Sequence, residues 1–192
     1  MDNAVLTQRQ IPGDPGVWIL ILGDLLVFAL LFFFFTYSHA GFRELFNAAQ
    51  GELNQAYGVI NTLFLLTSSW CIATALKSAQ QGERERCVRF TVATILCGVG
   101  FIVVKLLEYV EKINSGITVL TNDFFMYYFM LTGIHFFHVL IGMGVLTYLW
   151  LKVRNDHSPV SDNLLVFETG ASYWHMVDLL WIVIFYLLYL MN

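Results

Sequence analysis

The stretch GVWILILGDLLVFALLFFFFTY, Gly16 to Tyr37, is apolar throughout except for one ionisable side chain, Asp24. A bilayer's hydrocarbon core takes about 20 residues of helix to cross. With no water there to bond the backbone, a lone segment crosses only as a helix. Four further runs of this kind follow. The expected spans are 16–37, 57–76, 90–110, 124–151 and 167–190. Polar segments separate them: Ser38 to Gln55, the charged stretch Gln80 to Arg89, the Asn114-Ser115-Gly116 turn, and a loop containing Asp156, His157, Pro159 and Asp162. The expected fold is therefore an all-α, polytopic membrane bundle of five transmembrane helices, forming a single unit over 1–192.

Composition agrees. Of 192 residues, 58% are hydrophobic and only 12% charged, with mean hydropathy +0.67; soluble domains carry about twice that charge. The net charge of −4 gives no footing for nucleic acid. Cys71, Cys87 and Cys97 lack metal-ligand or CxxC spacing and read as packing residues. The polar start through Pro12-Gly13-Asp14-Pro15 does not resemble a cleavable signal peptide. Basic residues set the expected orientation. Arg9, Lys77, Arg84, Arg86, Arg89, Lys152 and Arg154 share the side of the N-terminus, and only Arg43 and Lys112 lie opposite. The positive-inside rule then puts the N-terminus in the cytoplasm and the C-terminus in the periplasm.

Ionisable side chains inside spans are costly and need a partner or a purpose. They are Asp24 on the first span, Lys105 and Glu108 on the third, His135 and His138 on the fourth, and His175 and Asp178 on the fifth. At about 1.5 Å per residue, Asp24, His175 and Asp178 lie roughly 12 Å in from the cytoplasmic edge, with His135 and His138 near the midplane. Those five suggest an inner polar layer. Lys105 and Glu108, one turn apart and nearer the outer face, are close enough to pair. The histidines admit three readings: haem ligation by one of the fourth-span pair with His175, a metal site lacking the usual Glu-x-x-His motif, or interhelical hydrogen bonding. Proton handling by Asp24 or Asp178 is a further possibility. Gly98, Gly100, Gly142 and Gly144 are expected to let backbones approach. Trp18, Trp70, Trp150, Tyr109, Tyr128 and Tyr173 are expected to anchor the interfaces.

Several of these residues stand in recognisable motifs. The run from Phe167 through Tyr173-Trp174-His175-Met176-Val177-Asp178 to Trp181 resembles the last helix of subunit III of haem-copper respiratory oxidases, whose signature is Tyr-Trp-His-Phe-Val-Asp-x-x-Trp. Gly133-Ile134-His135-Phe136-Phe137-His138-Val139 to Gly142 is similar to that family's Gly-Phe-His-x-x-His-Val-x-x-Gly. Glu108-Tyr109 matches a Glu-Tyr pair, and Gly16-Val17-Trp18 through Asp24 to His39 looks like the helix bearing the family's buried glutamate. Two positions depart from the pattern. Asp24 is one methylene short of the usual Glu, and Lys105 puts a full charge where Gln is common; that charge would neutralise Glu108 and make the pair structural.

The resemblance implies a non-catalytic accessory subunit of a haem-copper complex in aerobic electron transport, supporting the stability and proton uptake of a catalytic partner. Haem and copper would belong to that partner, none to this chain, and bound phospholipid is expected. The five-helix form resembles bacterial quinol oxidases and subunit-III-like proteins associated with nitric oxide reductase, and the Pro-Gly-Asp-Pro-Gly start looks more like the latter. An assembly or activation role for nitric oxide reductase is thus an alternative, and an independent proton channel using Asp24 and Asp178 is another. The implied location is a bacterial inner membrane. No catalytic residues are expected and no activity alone, since no nucleophile–base pair or open metal site can be assembled.

Overall fold

A computed structural model describes residues 15–155 and 164–191. Arg9, the Pro12-Gly13-Asp14 segment and the loop bearing Asp156, His157, Pro159 and Asp162 lie outside them. The described residues are all helical or in short turns: α1 (Pro15–Gly41), α2 (Arg43–Gly51), α3 (Gln55–Gln80), α4 (Arg84–Asn114), α5 (Asp123–Asn155) and α6 (Leu164–Phe185), which ends in a π turn at Tyr186–Leu190. Among the described residues, five helices are long and apolar enough to cross a membrane.

Three boundaries differ from the sequence reading. The polar segment after the first span is not a loop. α1 continues to Gly41, and α2 follows with Phe46, Ala49 and Gln50 buried on one face. Those positions recur at helical spacing, but nine residues are too few for a hydropathy window to notice. Most of the charged stretch is helical as well. α3 and α4 are joined by Gln81, Gly82 and Glu83 alone, and Arg84 to Arg89 form the first turns of α4. The helix simply outruns the apolar part of its sequence. At its far end α4 passes Glu111 and Lys112 before stopping at Asn114.

Local chemistry explains the stops. Gly82 (φ 75°) and Gly116 (φ 78°) take the left-handed conformation that terminates a helix. In each case the next amide bonds back: Glu83 N to Ser78 O at 2.9 Å, and Ile117 N to Lys112 O at 3.0 Å. Asn54 opens α3 by accepting from Ala56 N at 3.0 Å, and Asn122 opens α5 by accepting from Phe125 N at 2.9 Å. The Arg84 guanidinium donates to the Val153 and Arg154 carbonyls, satisfying the exposed end of α5.

α3 and α4 form a tight antiparallel hairpin, α6 packs between α3 and α5, and α5 closes against α4. Apolar residues gain little from leaving lipid for one another, so close packing and interhelical hydrogen bonds carry the association. The seams show both. Trp174 and Trp181 of α6 are fully buried, and their indole N–H groups donate to Ser68 (2.9 Å) and Thr62 (3.0 Å) of α3. The glycines expected to bring backbones together seat side chains instead. A methyl at Gly98 would run into Met143 Sδ, at Gly100 it would lie 2.8 Å from the Phe64 ring, and at Gly142 2.7 Å from Trp174, while Gly144 faces open space.

α1 stands apart from this core. It meets the bundle along a narrow stripe, Ile21, Phe28, Phe35 and His39, and shows most of its apolar surface. Its upper half is locked by rings: Phe35 packs on Phe46, Phe124 and Tyr127, and Ser38 Oγ lies 3.0 Å from Tyr127 Oη.

Candidate functional site

The intramembrane polar residues divide into three groups. The first surrounds Lys105, which is 0% exposed. Its ammonium donates to Glu108 Oε2 at 2.9 Å and to the Tyr128 and Tyr189 hydroxyls at 3.2 Å each. The rings of Tyr128, Tyr109, Trp181 and Tyr189 enclose it at centroid distances of 4.7 to 5.8 Å. Glu108 takes a second, 2.6 Å bond from Tyr189 Oη. Tyr189 reaches that position from the π turn, whose extra residue per turn resets the direction of the side chains. The charges are thus paired and their remaining donors and acceptors occupied, which is what makes a buried ion pair tolerable. Above this group, Tyr57 Oη donates to Glu111 (2.7 Å), Gln55 Nε2 to Tyr189 O (3.1 Å), and Lys112 Nζ to Glu52 O (2.6 Å).

Tyr128, expected at an interface, is therefore part of the interior, and Tyr109 is partly buried against it. Tyr109 Oη lies 2.7 Å from Thr132 Oγ1, and Tyr128 is 0% exposed. Tyr173 is likewise buried. Trp70 is exposed, at 63%.

The second group lies deeper on α3, α5 and α6. His135, Asn61 and Asp178 are buried; among the described residues none of their side-chain nitrogens and oxygens has a hydrogen bond of normal geometry, although the Ser69 hydroxyl lies beside Asp178. His135 lies against Trp181 (5.3 Å between centroids) and Phe101 (5.8 Å). His175, one turn from Asp178, has its Nδ1 2.8 Å from Ser69 Oγ.

The third group is at the α1–α5 contact. His138 Nε2 is 3.4 Å from Asp24 Oδ2, and its ring packs edge-on to Phe28 at 5.5 Å. Its Nδ1 is 2.8 Å from the Ile134 carbonyl. Below the pair a groove of about 480 Å³ opens between α1, α5 and α6, with Asp24, His138 and Tyr173 in its wall.

The inner layer anticipated from depth is thus divided. Asp24 meets His138, whereas His175 turns to α3 and His135 faces the α4–α6 seam. Three positions apart on one helix is about 60° around its axis, enough to send His135 and His138 to different neighbours. Among the described residues, no three His, Cys, Asp or Glu side chains converge as a metal group would require. Cys71, Cys87 and Cys97 are unbridged. Asn61, Ser69, Tyr128 and Tyr189 were not singled out as site residues in the sequence. Tyr128 lies seven residues before His135, on the same face, and that spacing was the available signal. Tyr189 has none, because its direction depends on the π turn.

Comparison with known proteins agrees with the motifs. Residues 10–192 match the family described as Cytochrome c oxidase subunit III. Quinol oxidase subunit 3 of Bacillus subtilis is 29% identical over 185 residues, covering 92% of this chain and 86% of that one. Its counterpart in Bacillus spizizenii is 31% identical over 189 residues with the same coverage. Cytochrome c oxidase subunit 3 of Oryctolagus cuniculus is 34% identical over 131 residues, 68% of this chain and 49% of the rabbit protein. With five membrane-length helices, the motifs in place on α5 and α6, and a match across nearly its whole length, the chain belongs to the cytochrome c oxidase subunit III family.

Proposed function

We propose that the chain is a non-catalytic accessory subunit of a haem-copper oxidase, packed against the catalytic subunit in a bacterial plasma membrane. The observation that carries this reading is the family match over residues 10–192, with its high-coverage bacterial relatives named as quinol oxidase subunits. The interior chemistry supports a structural role. Lys105 and Glu108 are spent on each other and on tyrosine hydroxyls, leaving no open coordination position or activated nucleophile there. The long exposed apolar faces of α1 and α3, including Ile19, Leu22, Leu26, Leu63 and Leu66, suit contact with lipid and with a neighbouring subunit. Haem and copper belong to that neighbour. This subunit stabilises it and supports its proton uptake, with the N-terminus on the cytoplasmic side.

The test is purification in mild detergent, followed by comparison of the complex with and without this chain. A haem-copper subunit is expected to co-purify. The complex lacking the chain should keep its haem spectrum and initial turnover but inactivate several-fold faster. Loss of haem on removal, or absence of a haem-copper partner, would overturn the proposal.

A further inference from the structure

The groove beneath the Asp24–His138 pair is open to the lipid phase, and its volume of about 480 Å³ is within the 300–1,000 Å³ of small-molecule sites. Its walls are mostly apolar, with Tyr148 and a Thr169 hydroxyl bonded back to Leu165 O, and one polar corner is made by Asp24 of α1, His138 of α5 and Tyr173 of α6. Their side chains are not sealed: Asp24 retains 26% and His138 14% side-chain exposure.

Hydrogen-bond logic says what that corner can do. A carbonyl only accepts, so the 2.8 Å contact from His138 Nδ1 to Ile134 O requires the proton on Nδ1. In a neutral ring, Nε2 then presents a lone pair to the Asp24 carboxylate 3.4 Å away, which is repulsive. The pair is favourable when it holds one further proton, as imidazolium–carboxylate or imidazole–carboxylic acid. At 3.4 Å the contact is also long for a hydrogen bond, leaving both groups able to engage a third. Tyr173 Oη, only 3.5 Å from the His138 carbonyl, is as loosely held.

The corner therefore offers a donor and acceptors at the end of an apolar slot. Among the described residues, none that lines the groove is Lys or Arg. A phosphate headgroup would find no lysine or arginine there, only His138 already engaged by Asp24, and would face the Asp24 carboxylate. The complementary ligand is electroneutral: a compact ring bearing hydroxyl or keto oxygens, on an apolar tail that fills the slot. We propose that this groove binds a quinol or quinone, its ring oxygens at Asp24 and His138. The proposal concerns binding alone and does not depend on which complex the subunit joins.

The full chain, reconstituted in nanodiscs containing decylubiquinone, tests it by native mass spectrometry, with circular dichroism to confirm helicity. A one-to-one decylubiquinone adduct is expected. Asp24→Leu removes the hydrogen-bonding corner, and Leu20→Trp, at an exposed position in the groove wall, fills the slot. Each should lower adduct occupancy at least tenfold, whereas Asp24→Glu should retain it. Absence of the adduct, an adduct indifferent to both substitutions, or a phospholipid adduct that Leu20→Trp displaces instead would each overturn the assignment.

Discussion

Lys105 shows how one residue can be read in two ways, as a charge in the wrong place or as the centre of a site. Its spacing from Glu108 was enough to anticipate their pairing, since residues three apart share a helix face. The tyrosine enclosure was only half legible. Tyr128 recurs at helical spacing with His135, but Tyr189 depends on a backbone irregularity that no side-chain pattern encodes. Burial decides the energetics: both partners have side chains at most 1% exposed. Lys105→Met should therefore leave an uncompensated carboxylate and cost about 3–5 kcal/mol. The double variant Lys105→Met/Glu108→Gln should recover at least half of that loss. Reversible unfolding in mixed detergent micelles measures both, and equal losses in the single and double variants would show that the pair does not act as a unit.

At the scale of the helix, the glycines separate cleanly. Trp174 cannot retreat from a side chain at Gly142, because it is fully buried and tethered to Ser68 at 2.9 Å. A methyl 2.7 Å from its ring must displace the α5–α6 seam. Gly142→Ala should cost about 1–3 kcal/mol as overpacking. Gly144→Ala, two residues on and facing open space, should melt within a degree or two of the parent in the same detergent. Helix identity was clear in the sequence because long apolar runs have one solution in lipid. The ends were not, for a different physical reason. α2 owes its helicity to packing of its buried face, and the first turns of α4 to continuation of the helix beyond its apolar part, neither of which raises hydropathy.

For the whole molecule, the positive-inside rule applied to Lys77, Arg84, Arg86, Arg89, Lys152 and Arg154, which lie at one end of the bundle, predicts a cytoplasmic N-terminus and an external C-terminus. Fusion of alkaline phosphatase to the C-terminus should give an active enzyme, and a fluorescent protein that matures only in the cytoplasm should stay dark there; the reverse result would invert the topology. The membrane bundle was legible at this scale from composition alone, and the family from motifs on α5 and α6. The lateral arrangement was not. That α1 leans on a compact four-helix core, leaving a groove at its inner end, follows from which faces fit together.

That peripheral placement of α1 has a consequence for biogenesis. α1 carries Asp24, and the residue that meets it, His138, leaves the ribosome more than a hundred positions later. At roughly 5–20 residues per second, synthesis leaves the carboxyl side chain without its mate for several seconds or more. α1 thus enters the bilayer well before it can dock, and the Phe28–His138 and Phe35–Phe124 contacts that hold it wait for α5. Newly made chains should pass through a stage in which α1 is inserted but still free to move sideways in the membrane.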